Sequence, residues 1–336
     1  MNSVVAEPVM PEVNVLAKVS TLTQSASRPV TWRGSKPSTL KRAIKVTPAL
    51  YADARGLHDA IEGKEGVQGQ FIAREHAVGY EHILVDRYGD FATVTMNRPQ
   101  RRNSLSHAHM RELIRAFREI GDSTTLGVVL AGNGPVFSSG HDLAEVADAD
   151  LAEVRALLAT CTELMTVMQQ IPQPVVARVH GLATAAGCQL VASADLAVAS
   201  EDAGFAAPGG KGGWFCHTPM VAVARNVGRK RAMELALSGD VIDARTALDW
   251  GLVNAVVPAA QLDTATADLL DRVTRGSAES KGIGKQALYA QIDLDQPKAY
   301  AYAVEVMAAT SQLPDAREWT HAFLEKRKPR WRRGRP

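Results

Sequence analysis

From residue 80 onward, short apolar runs alternate with longer amphipathic segments, and this alternation limits what the chain can fold into. The short runs are rich in Val, Ala and Leu, which is typical of strands that are buried on both faces of a sheet. The longer segments repeat apolar residues at a spacing near 3.6, which predicts helices that pack on that sheet. The expected fold class is therefore α/β, with layers of strands and helices followed by a helical C-terminal third.

The same patterns predict individual elements. Alternating segments at 80–87 and 91–97, joined by Tyr88, Gly89 and Asp90, predict a β-hairpin. Buried strands are predicted at 126–131, 174–179 and 196–200, and helices at 106–120, 152–171 and 185–192. Ser106 is the expected N-cap of the first helix. After residue 218 helices dominate, apart from one strand within 251–258. The order strand, strand, helix recurs, although no fixed sequence period is found.

The net charge of +2 conceals an uneven distribution. Residues 1–46 carry +5 and residues 326–336 carry +7, so residues 47–325 carry −10. Proteins bind duplex DNA through a basic face that contacts phosphates, so an acidic body argues against nucleic acid as a partner. No apolar run reaches the ~20 residues that a membrane helix needs, so no membrane span is expected.

Residues 1–79 are predicted to form an N-terminal extension that is largely disordered or a linker. The stretch 18–52 lacks acidic residues and contains Ser, Thr and Arg, as mitochondrial transit segments do. Glu7 and Glu12, however, lie where such segments avoid acids. The chain has three cysteines, which are too few for a disulfide framework and favour a reducing compartment. The predicted location is cytoplasmic, with the mitochondrial matrix as the alternative if the extension is a transit segment.

Two turns of small residues are the strongest candidates for chemistry. Residues 134–143 (GPVFSSGHDL) follow one predicted strand, and residues 180–189 (HGLATAAGCQ) follow the next and open a helix. Backbone N–H groups in such turns are unobstructed, and a helix N-terminus favours negative charge. Two converging N–H groups would form an oxyanion hole. The alternative is a pair of tight turns in which only small residues pack. No pattern of zinc ligands, no P-loop and no nucleophile elbow is found.

Residues 81–331 resemble the crotonase (enoyl-CoA hydratase/isomerase) superfamily. The matching stretches occur in the family's order: 96–105 (MNRPQRRNSL), 137–143 (FSSGHDL), 175–199, 232–240, 244–254 and 322–329 (AFLEKRKP). The resemblance implies a crotonase-like core of the ββα superhelical type over 80–258. It also implies a helical C-terminal oligomerisation region with a basic tail over 259–336, through which homotrimers or hexamers form.

The resemblance further implies an acyl-CoA substrate, with no metal and no cofactor other than the coenzyme A of that substrate. The backbone N–H groups of His141 and Ala186 match the positions that polarise the thioester carbonyl and stabilise its enolate. Arg101 and Arg102 would pair with phosphates of CoA, or else are solvated turn residues. Asp142 is also expected to cap the next helix. The full set of substrate-binding residues that the resemblance implies is Gln100, Arg101, Arg102, Ser104, Gly140, Asp142, Leu143, Pro208 and Gly209.

The chain departs from the family at both catalytic glutamates. Hydratases of the family place and protonate water with two glutamates, and the matching positions here are Gln189 and Gly209. A glutamine can hold a water but cannot exchange a proton with it near neutral pH, so two-glutamate hydration is not expected. Other members place a carboxylate eight residues beyond the second glutamate, which corresponds to His217 here. His217 is therefore a candidate acid or base, or else a helix-start histidine held by its neighbours.

Three functions follow from these residues. The first is an enzyme of the enoyl-CoA hydratase/isomerase type, which stabilises a thioester enolate and moves the proton with a residue other than glutamate. The second is a catalytically silent protein that binds CoA thioesters and has a regulatory or scaffolding role. The third is an acyl-CoA thioesterase, for which Cys188 or Cys216 would supply a thiol nucleophile, unless these cysteines are buried and structural.

Overall fold

The computed structural model describes residues 79–331, so the predicted N-terminal extension, apart from its last residue, lies outside the described residues. Within this range there are ten strands: β1 (Ile83–Tyr88), β2 (Phe91–Met96), β3 (Gly127–Gly132), β4 (Val136–Ser138), β5 (Val175–Val179), β6 (Leu182–Thr184), β7 (Leu196–Ser200), β8 (Gly204–Ala206), β9 (Ile242–Asp243) and β10 (Ala255–Val257). The α-helices of the same range are α1 (His107–Gly121), α2 (Leu151–Gln170), α3 (Ala186–Ser193), α4 (His217–Val227), α5 (Arg229–Ser238), α6 (Ala244–Trp250), α7 (Leu262–Thr274), α8 (Ala278–Gln291), α9 (Gln296–Thr310) and α10 (Pro314–Leu324).

The longer strands form a six-stranded sheet in the order β1-β2-β3-β5-β7-β10. The β1–β2 pair is an antiparallel hairpin, and all the other neighbours are parallel. Strands with parallel neighbours need crossover connections, and these cover both faces of the sheet. This explains why β3 and β5 are nearly continuous runs of Val, Leu and Ala. The predicted hairpin and the predicted buried strands are confirmed.

A second sheet of four short strands, in the order β4-β6-β8-β9, lies outside the pattern that the sequence predicts. Each of its strands is only two or three residues long, too short for a hydrophobic period to show. With these strands included, the described residues run through four successive units of strand, strand, helix, which end in α1, α2, α3 and α4. The small sheet places the turns that follow β4 and β6 next to each other.

The helices begin where the sequence predicts. The Ser106 side chain caps α1 by accepting a hydrogen bond from the His109 N–H. A capping box between Asp150 and Glu153 starts α2, which ends before Pro172. The apolar faces of α1 and α2 join the main core, whereas Leu262 and Leu270 of α7 form a second cluster. The predicted α/β fold with a helical C-terminal region is confirmed.

A buried ion pair holds the C-terminal helices on the core. Lys285 of α8 lies 2.6 Å from the carboxylate of Asp195, which also accepts hydrogen bonds from Tyr289 and from the Val175 N–H. Burial lowers the pKa of Lys285 despite the opposing effect of Asp195. Within residues 79–331 no helix is both long and apolar enough to cross a membrane.

Candidate active site at the turns after β4 and β6

The two candidate turns touch because their strands are neighbours. Parallel β4 and β6 pair Ser138 with Ala183, so the residues that follow each strand meet at one edge of the small sheet. Gly140 lies at this meeting point with a φ of +84°. A Cβ atom at Gly140 would lie 2.9 Å from the Cβ of Ala185 and 3.0 Å from the N of Ala186. The first turn therefore needs glycine both for its conformation and for its contact with the second.

Backbone hydrogen bonds brace the first turn against the segment before α1. The Leu105 N–H donates to the Gly140 carbonyl at 2.8 Å, and the Asp142 N–H donates to the Leu105 carbonyl at 3.2 Å. The N–H between them, that of His141, has no acceptor among the described residues. It is therefore available to an acceptor on a ligand.

Asn103 ties the same segment to β4, and sequence reasoning missed it. It is fully buried with a φ of +50°, a conformation that Asn tolerates better than most residues. Its amide donates to the carbonyls of Asn133, Val136 and Phe137, and its oxygen accepts from the Arg98 N–H. The signal that could have found it is an asparagine within the turn that follows Asn-Arg-Pro at 97–99.

An ion pair and a hydrogen bond to Asp142 hold the first turn in place. Arg98 pairs with Asp142 at 3.3 Å, and both side chains are largely buried. Ser104 donates to the same carboxylate at 3.0 Å. Burial would raise the pKa of Asp142, but the hydrogen bonds from Ser104 and Ala144 and the charges of Arg101 and Arg98 hold it below its usual value. Asp142 caps the short 3-10 turn over Leu143–Glu145, whereas Asp150 caps the next predicted helix, so the carboxylate of Asp142 is engaged within the protein.

The second turn is short and strained. Ala185 has φ 50° and ψ −118°, a conformation that favours glycine, and its N–H donates to the Ala206 carbonyl at 2.9 Å. Ala186 begins α3, and its N–H has no acceptor among the described residues. At Gly187 a Cβ would lie 2.3 Å from the Ser138 carbonyl oxygen, so the helix packs directly on β4. The N–H groups of His141 and Ala186 thus lie on two turns in contact, each without a protein partner.

The two positions that match the family's glutamates hold Gln189 and Gly209, and the surroundings of each are described in turn. Gln189 is buried on α3, and its Oε1 faces the Cys161 thiol at 3.8 Å. At Gly209 a Cβ would lie 2.1 Å from the carbonyl oxygen of Trp214 and 2.8 Å from the sulfur of Cys216. The Trp214 N–H also donates to the Gly209 carbonyl at 2.9 Å. The loop 209–216 thus folds back into the space that a side chain at 209 would occupy.

The two candidate histidines have different surroundings. His217, the predicted acid or base, is the first residue of α4; it is exposed and packs against Phe215 with 5.0 Å between ring centroids. The His141 ring is largely buried, 6.1 Å from the Trp214 ring. Burial lowers the pKa of His141 to about 4, so its imidazole is neutral at physiological pH.

The buried thiols do not suit nucleophilic chemistry. Burial raises the pKa of Cys161 and of Cys188 to about 12 and also raises that of Cys216. A cysteine attacks as its thiolate, which these side chains do not form near neutral pH. The buried, structural interpretation of these cysteines is therefore the one that the geometry supports.

The remaining predicted substrate-binding residues divide by exposure. Gln100, Arg101 and Arg102 are exposed at the turn that begins with the 3-10 helix Pro99–Arg101, and Leu143 is 65% exposed. Ser104 is buried and bonded to Asp142. Pro208 and Gly209 are partly buried in the 3-10 helix Pro208–Gly210. In the part of the chain that the structure describes, no three His, Cys, Asp or Glu side chains are placed to hold a metal ion.

Comparison with known proteins places these turns in a family. The sequence pattern of the family described as Enoyl-CoA hydratase/isomerase matches residues 86–334. The chain is 42% identical over 250 residues to enoyl-CoA hydratase domain-containing protein 3, mitochondrial, of Danio rerio, which covers 74% of this chain and 86% of the relative. The protein of the same name from Homo sapiens is 41% identical over 240 residues, or 71% of this chain and 79% of the relative.

Solved structures agree with the sequence matches. A crystal structure of an enoyl-CoA hydratase from Mycobacterium smegmatis is 44% identical with a TM-score of 0.73, and the match covers 75% of this chain and 99% of that one. The crystal structure of human enoyl coenzyme A hydratase domain-containing protein 3 is 39% identical with a TM-score of 0.71, over 75% of this chain and all of that one. The chain therefore belongs to the enoyl-CoA hydratase/isomerase family and has the crotonase fold, as its motifs indicated.

Proposed function

We propose that this protein binds acyl-CoA thioesters and polarises the thioester carbonyl with the backbone N–H groups of His141 and Ala186. The observation that carries the proposal is that these two N–H groups, on turns in direct contact, have no acceptor among the described residues. A thioester oxygen that accepted both would gain negative charge as its enolate formed.

The surroundings of the two N–H groups favour this role. Ala186 lies at the N-terminus of α3, where unpaired N–H groups and the helix dipole stabilise an anion. The first turn is held by Arg98, Ser104 and Asp142, and the second by the bond from Ala185 to Ala206. Donors that are fixed in advance need little reorganisation when charge develops, and one such donor contributes ~10²–10³ in rate in a well-studied hydrolase.

The proposal covers polarisation of the thioester carbonyl and formation of the enolate. Isomerisation, and exchange of a proton on the carbon next to the carbonyl, both proceed through such an enolate. Hydration by two glutamates is not proposed, because Gln189 and Gly209 occupy the two positions. Since both positions lack a carboxylate, a second function is also supported, namely a protein that binds CoA thioesters without turning them over. Gln100, Arg101 and Arg102 are proposed to contact the CoA phosphates from their exposed turn.

The test separates carbonyl polarisation from turnover. Butanoyl-CoA labelled with ¹³C at the thioester carbonyl is bound to the protein, and the carbonyl stretch is followed by infrared difference spectroscopy. Polarisation weakens the C=O bond, so the band is expected to move to lower frequency on binding. The same complex is kept in D₂O, and mass spectrometry reports deuterium at the α-carbon.

Each outcome of this experiment has one meaning. A shifted band with deuterium uptake supports an enolate-forming enzyme. A shifted band without uptake of deuterium, and without products from 2-enoyl or 3-enoyl esters, supports the silent binder. Bound ester with an unshifted band contradicts the role of His141 and Ala186, and no binding at all contradicts the whole proposal.

Assembly is proposed to be trimeric or hexameric through the C-terminal helices. Apolar side chains on these helices are exposed in the single chain, with Met307 at 78% and Phe323 at 70%. Patches of this kind mark protein interfaces. Light scattering is expected to give about three or six times the chain mass of 36.0 kDa. A monomer at micromolar concentration would contradict the proposal.

The location of the protein stays a prediction with two alternatives. The names of the relatives from Danio rerio and Homo sapiens include the word mitochondrial, which supports the matrix rather than the cytoplasm. Residues 1–79 fused to a fluorescent protein in a eukaryotic cell would decide between them. Mitochondrial fluorescence would support a transit segment, and diffuse fluorescence would support the cytoplasmic prediction.

A further inference from the structure

The His141 side chain carries a second polar group that the protein leaves without a partner. Its Nε2 atom is buried and has no hydrogen bond among the described residues. His109 and His180 also have one buried nitrogen without a partner, but each uses its other nitrogen on a backbone carbonyl, that of Ser104 or Gly134. For His141 no hydrogen bond is found from either ring nitrogen within residues 79–331. This imidazole is therefore the least satisfied of the three.

A buried polar group without a partner lowers stability, and such groups in native proteins call for an explanation. The residue that holds this nitrogen, His141, also carries one of the two backbone N–H groups of the proposed oxyanion site, and that N–H has no acceptor among the described residues. A single ligand near His141 could satisfy both groups. The ring is neutral, so one nitrogen donates a hydrogen bond and the other accepts one.

We propose that His141 selects acyl-CoA thioesters that carry an oxygen, as a hydroxyl or keto group, on the first carbons of the acyl chain. This inference rests on the proposed function and names its substrate class. The backbone N–H would hold the thioester oxygen, and the imidazole would hold the second oxygen. Because both groups belong to one residue, the two oxygens must lie within the reach of one side chain. This places the second oxygen close to the thioester, as in 3-hydroxyacyl or 3-oxoacyl groups.

The loop that covers His141 can admit such a ligand. Trp214 packs 6.1 Å from the His141 ring and is itself 39% exposed. It follows the run Gly209-Gly210-Lys211-Gly212-Gly213, in which Gly213 has a φ of +85° and open space around it. A Cβ at Gly212 would likewise meet no atom closer than 3.7 Å, although the Gly212 N–H donates to the Gly209 carbonyl at 3.1 Å. Because the N–H groups of Gly212 and Trp214 hold the loop on the Gly209 carbonyl, a ligand would reach the ring by rotation of the partly exposed Trp214 side chain rather than by movement of the loop.

The test compares three esters that differ in one group. Calorimetry measures the affinity of the full-length protein for butanoyl-CoA, 3-hydroxybutanoyl-CoA and 3-oxobutanoyl-CoA. Sites built to hydrogen-bond a substrate discriminate against the analogue that lacks the group. The wild type is expected to bind at least one oxygenated ester ten or more times as tightly as butanoyl-CoA. In His141→Phe the ring nitrogens are lost, so the ratio of the affinities for the oxygenated ester and for butanoyl-CoA should fall to within about twofold.

A conservative variant separates recognition from packing. His141→Gln places an amide nitrogen near the position of Nε2 and is expected to keep part of the preference that His141→Phe loses. Equal binding of all three esters by the wild type, or an unchanged preference in His141→Phe, would overturn the inference but leave the proposed function intact. If no ester binds to the wild type, the proposed function itself fails. Circular dichroism and urea denaturation, which do not depend on ligand, show that each variant keeps its fold.

Discussion

The oxyanion side and the acid–base side of the candidate site have diverged to different extents. On the proposed oxyanion side, the turns at Gly140 and Ala185 are in contact, and the N–H groups of His141 and Ala186 on them have no acceptor among the described residues. On the acid–base side, Gln189 faces a buried thiol, and at Gly209 the returning loop leaves no room for a side chain. The comparison teaches that the two turns with free N–H groups are retained in a chain in which both glutamate positions hold other residues.

The difference has a physical cause. An oxyanion hole of backbone donors depends on where the strands place the chain, so a residue such as His141 or Ala186 can offer its N–H whatever its side chain. Proton transfer depends on one ionisable atom with a suitable pKa. One substitution removes that atom, whereas most side-chain changes in the turns leave the backbone N–H groups in place. Gly140 is an exception, because a side chain there would meet the second turn.

The largest loss of carbonyl polarisation, together with a loss of stability, is expected from Gly140→Ala, which acts on the oxyanion side. The new methyl group would enter a space only 2.9 Å from Ala185, and the φ of +84° disfavours alanine. Separation of the turns should abolish the infrared shift of bound butanoyl-CoA and reduce any turnover by ~10²–10³. Stability should fall by about 2–4 kcal/mol, as measured by urea denaturation.

Gly89→Ala is the matched control for this prediction. Gly89 has a φ of +54°, but no atom lies within 4 Å of the position of a Cβ. Its substitution should cost only about 1–2 kcal/mol of backbone strain and leave the infrared shift unchanged. If Gly140→Ala retains the shifted band, the two turns do not form the oxyanion site.

The next largest effect is expected from Gly209→Glu, which restores a family glutamate on the acid–base side. The Cβ would overlap the carbonyl oxygen of Trp214, so the free energy of unfolding should fall by about 2–4 kcal/mol. No hydration of 2-butenoyl-CoA should appear. Gly212→Glu is the control, because a Cβ there meets its nearest atom at 3.7 Å and should cost less than about 0.5 kcal/mol. A stable Gly209→Glu variant that hydrates the ester would contradict this prediction, because it would show that the loop 209–216 rearranges to accommodate the side chain.

Gln189→Glu tests the other glutamate position through the pH dependence of stability. The site is buried, so burial should raise the pKa of the new carboxyl above the ordinary ~4.3. The unfolded chain then ionises at lower pH than the folded one, and stability falls as pH rises between the two values. The variant should therefore lose about 1–2 kcal/mol more of its free energy of unfolding, relative to wild type, at pH 8 than at pH 5.

Urea denaturation at both pH values measures this difference. Gln261→Glu serves as the control, because Gln261 is exposed and its substitution should show little pH dependence. A loss that is equal at pH 5 and pH 8 would mean that the carboxyl at 189 stays solvated, contrary to the buried position of Gln189.

The sequence predicted the parts of this site that depend on local pattern. Apolar runs indicated the long strands, and the motifs around Gly140 and Ala186 indicated the two turns. Three features could not be predicted from the sequence, because they depend on how segments of the chain pack together. The strands of the small sheet are too short for a periodicity, and the overlap at Gly209 arises from Trp214, five residues away. The unsatisfied ring of His141 is visible only once every neighbour is in place.

The smallest change in the free energy of unfolding is expected from Ala185→Gly, and it should be an increase rather than a decrease. Ala185 has a φ of 50° and a ψ of −118°, a conformation that costs a non-glycine residue about 1–3 kcal/mol. Glycine removes this strain but loses about 0.5–1 kcal/mol through its greater freedom in the unfolded chain. The net expectation is a gain of about 1 kcal/mol, measured as a higher urea midpoint, with the infrared shift retained because the Ala185 N–H still bonds to Ala206.

Ala194→Gly is the matched control, since Ala194 is equally small and is buried, with an ordinary extended backbone (φ −65°, ψ 152°). It carries no strain to relieve, so its substitution should lower stability by about 1 kcal/mol. Opposite signs for the two variants would show that the strain is confined to the oxyanion turn. Equal losses would mean that Ala185 is relaxed, and the orientation of the Ala186 N–H would then need no stored strain to explain it.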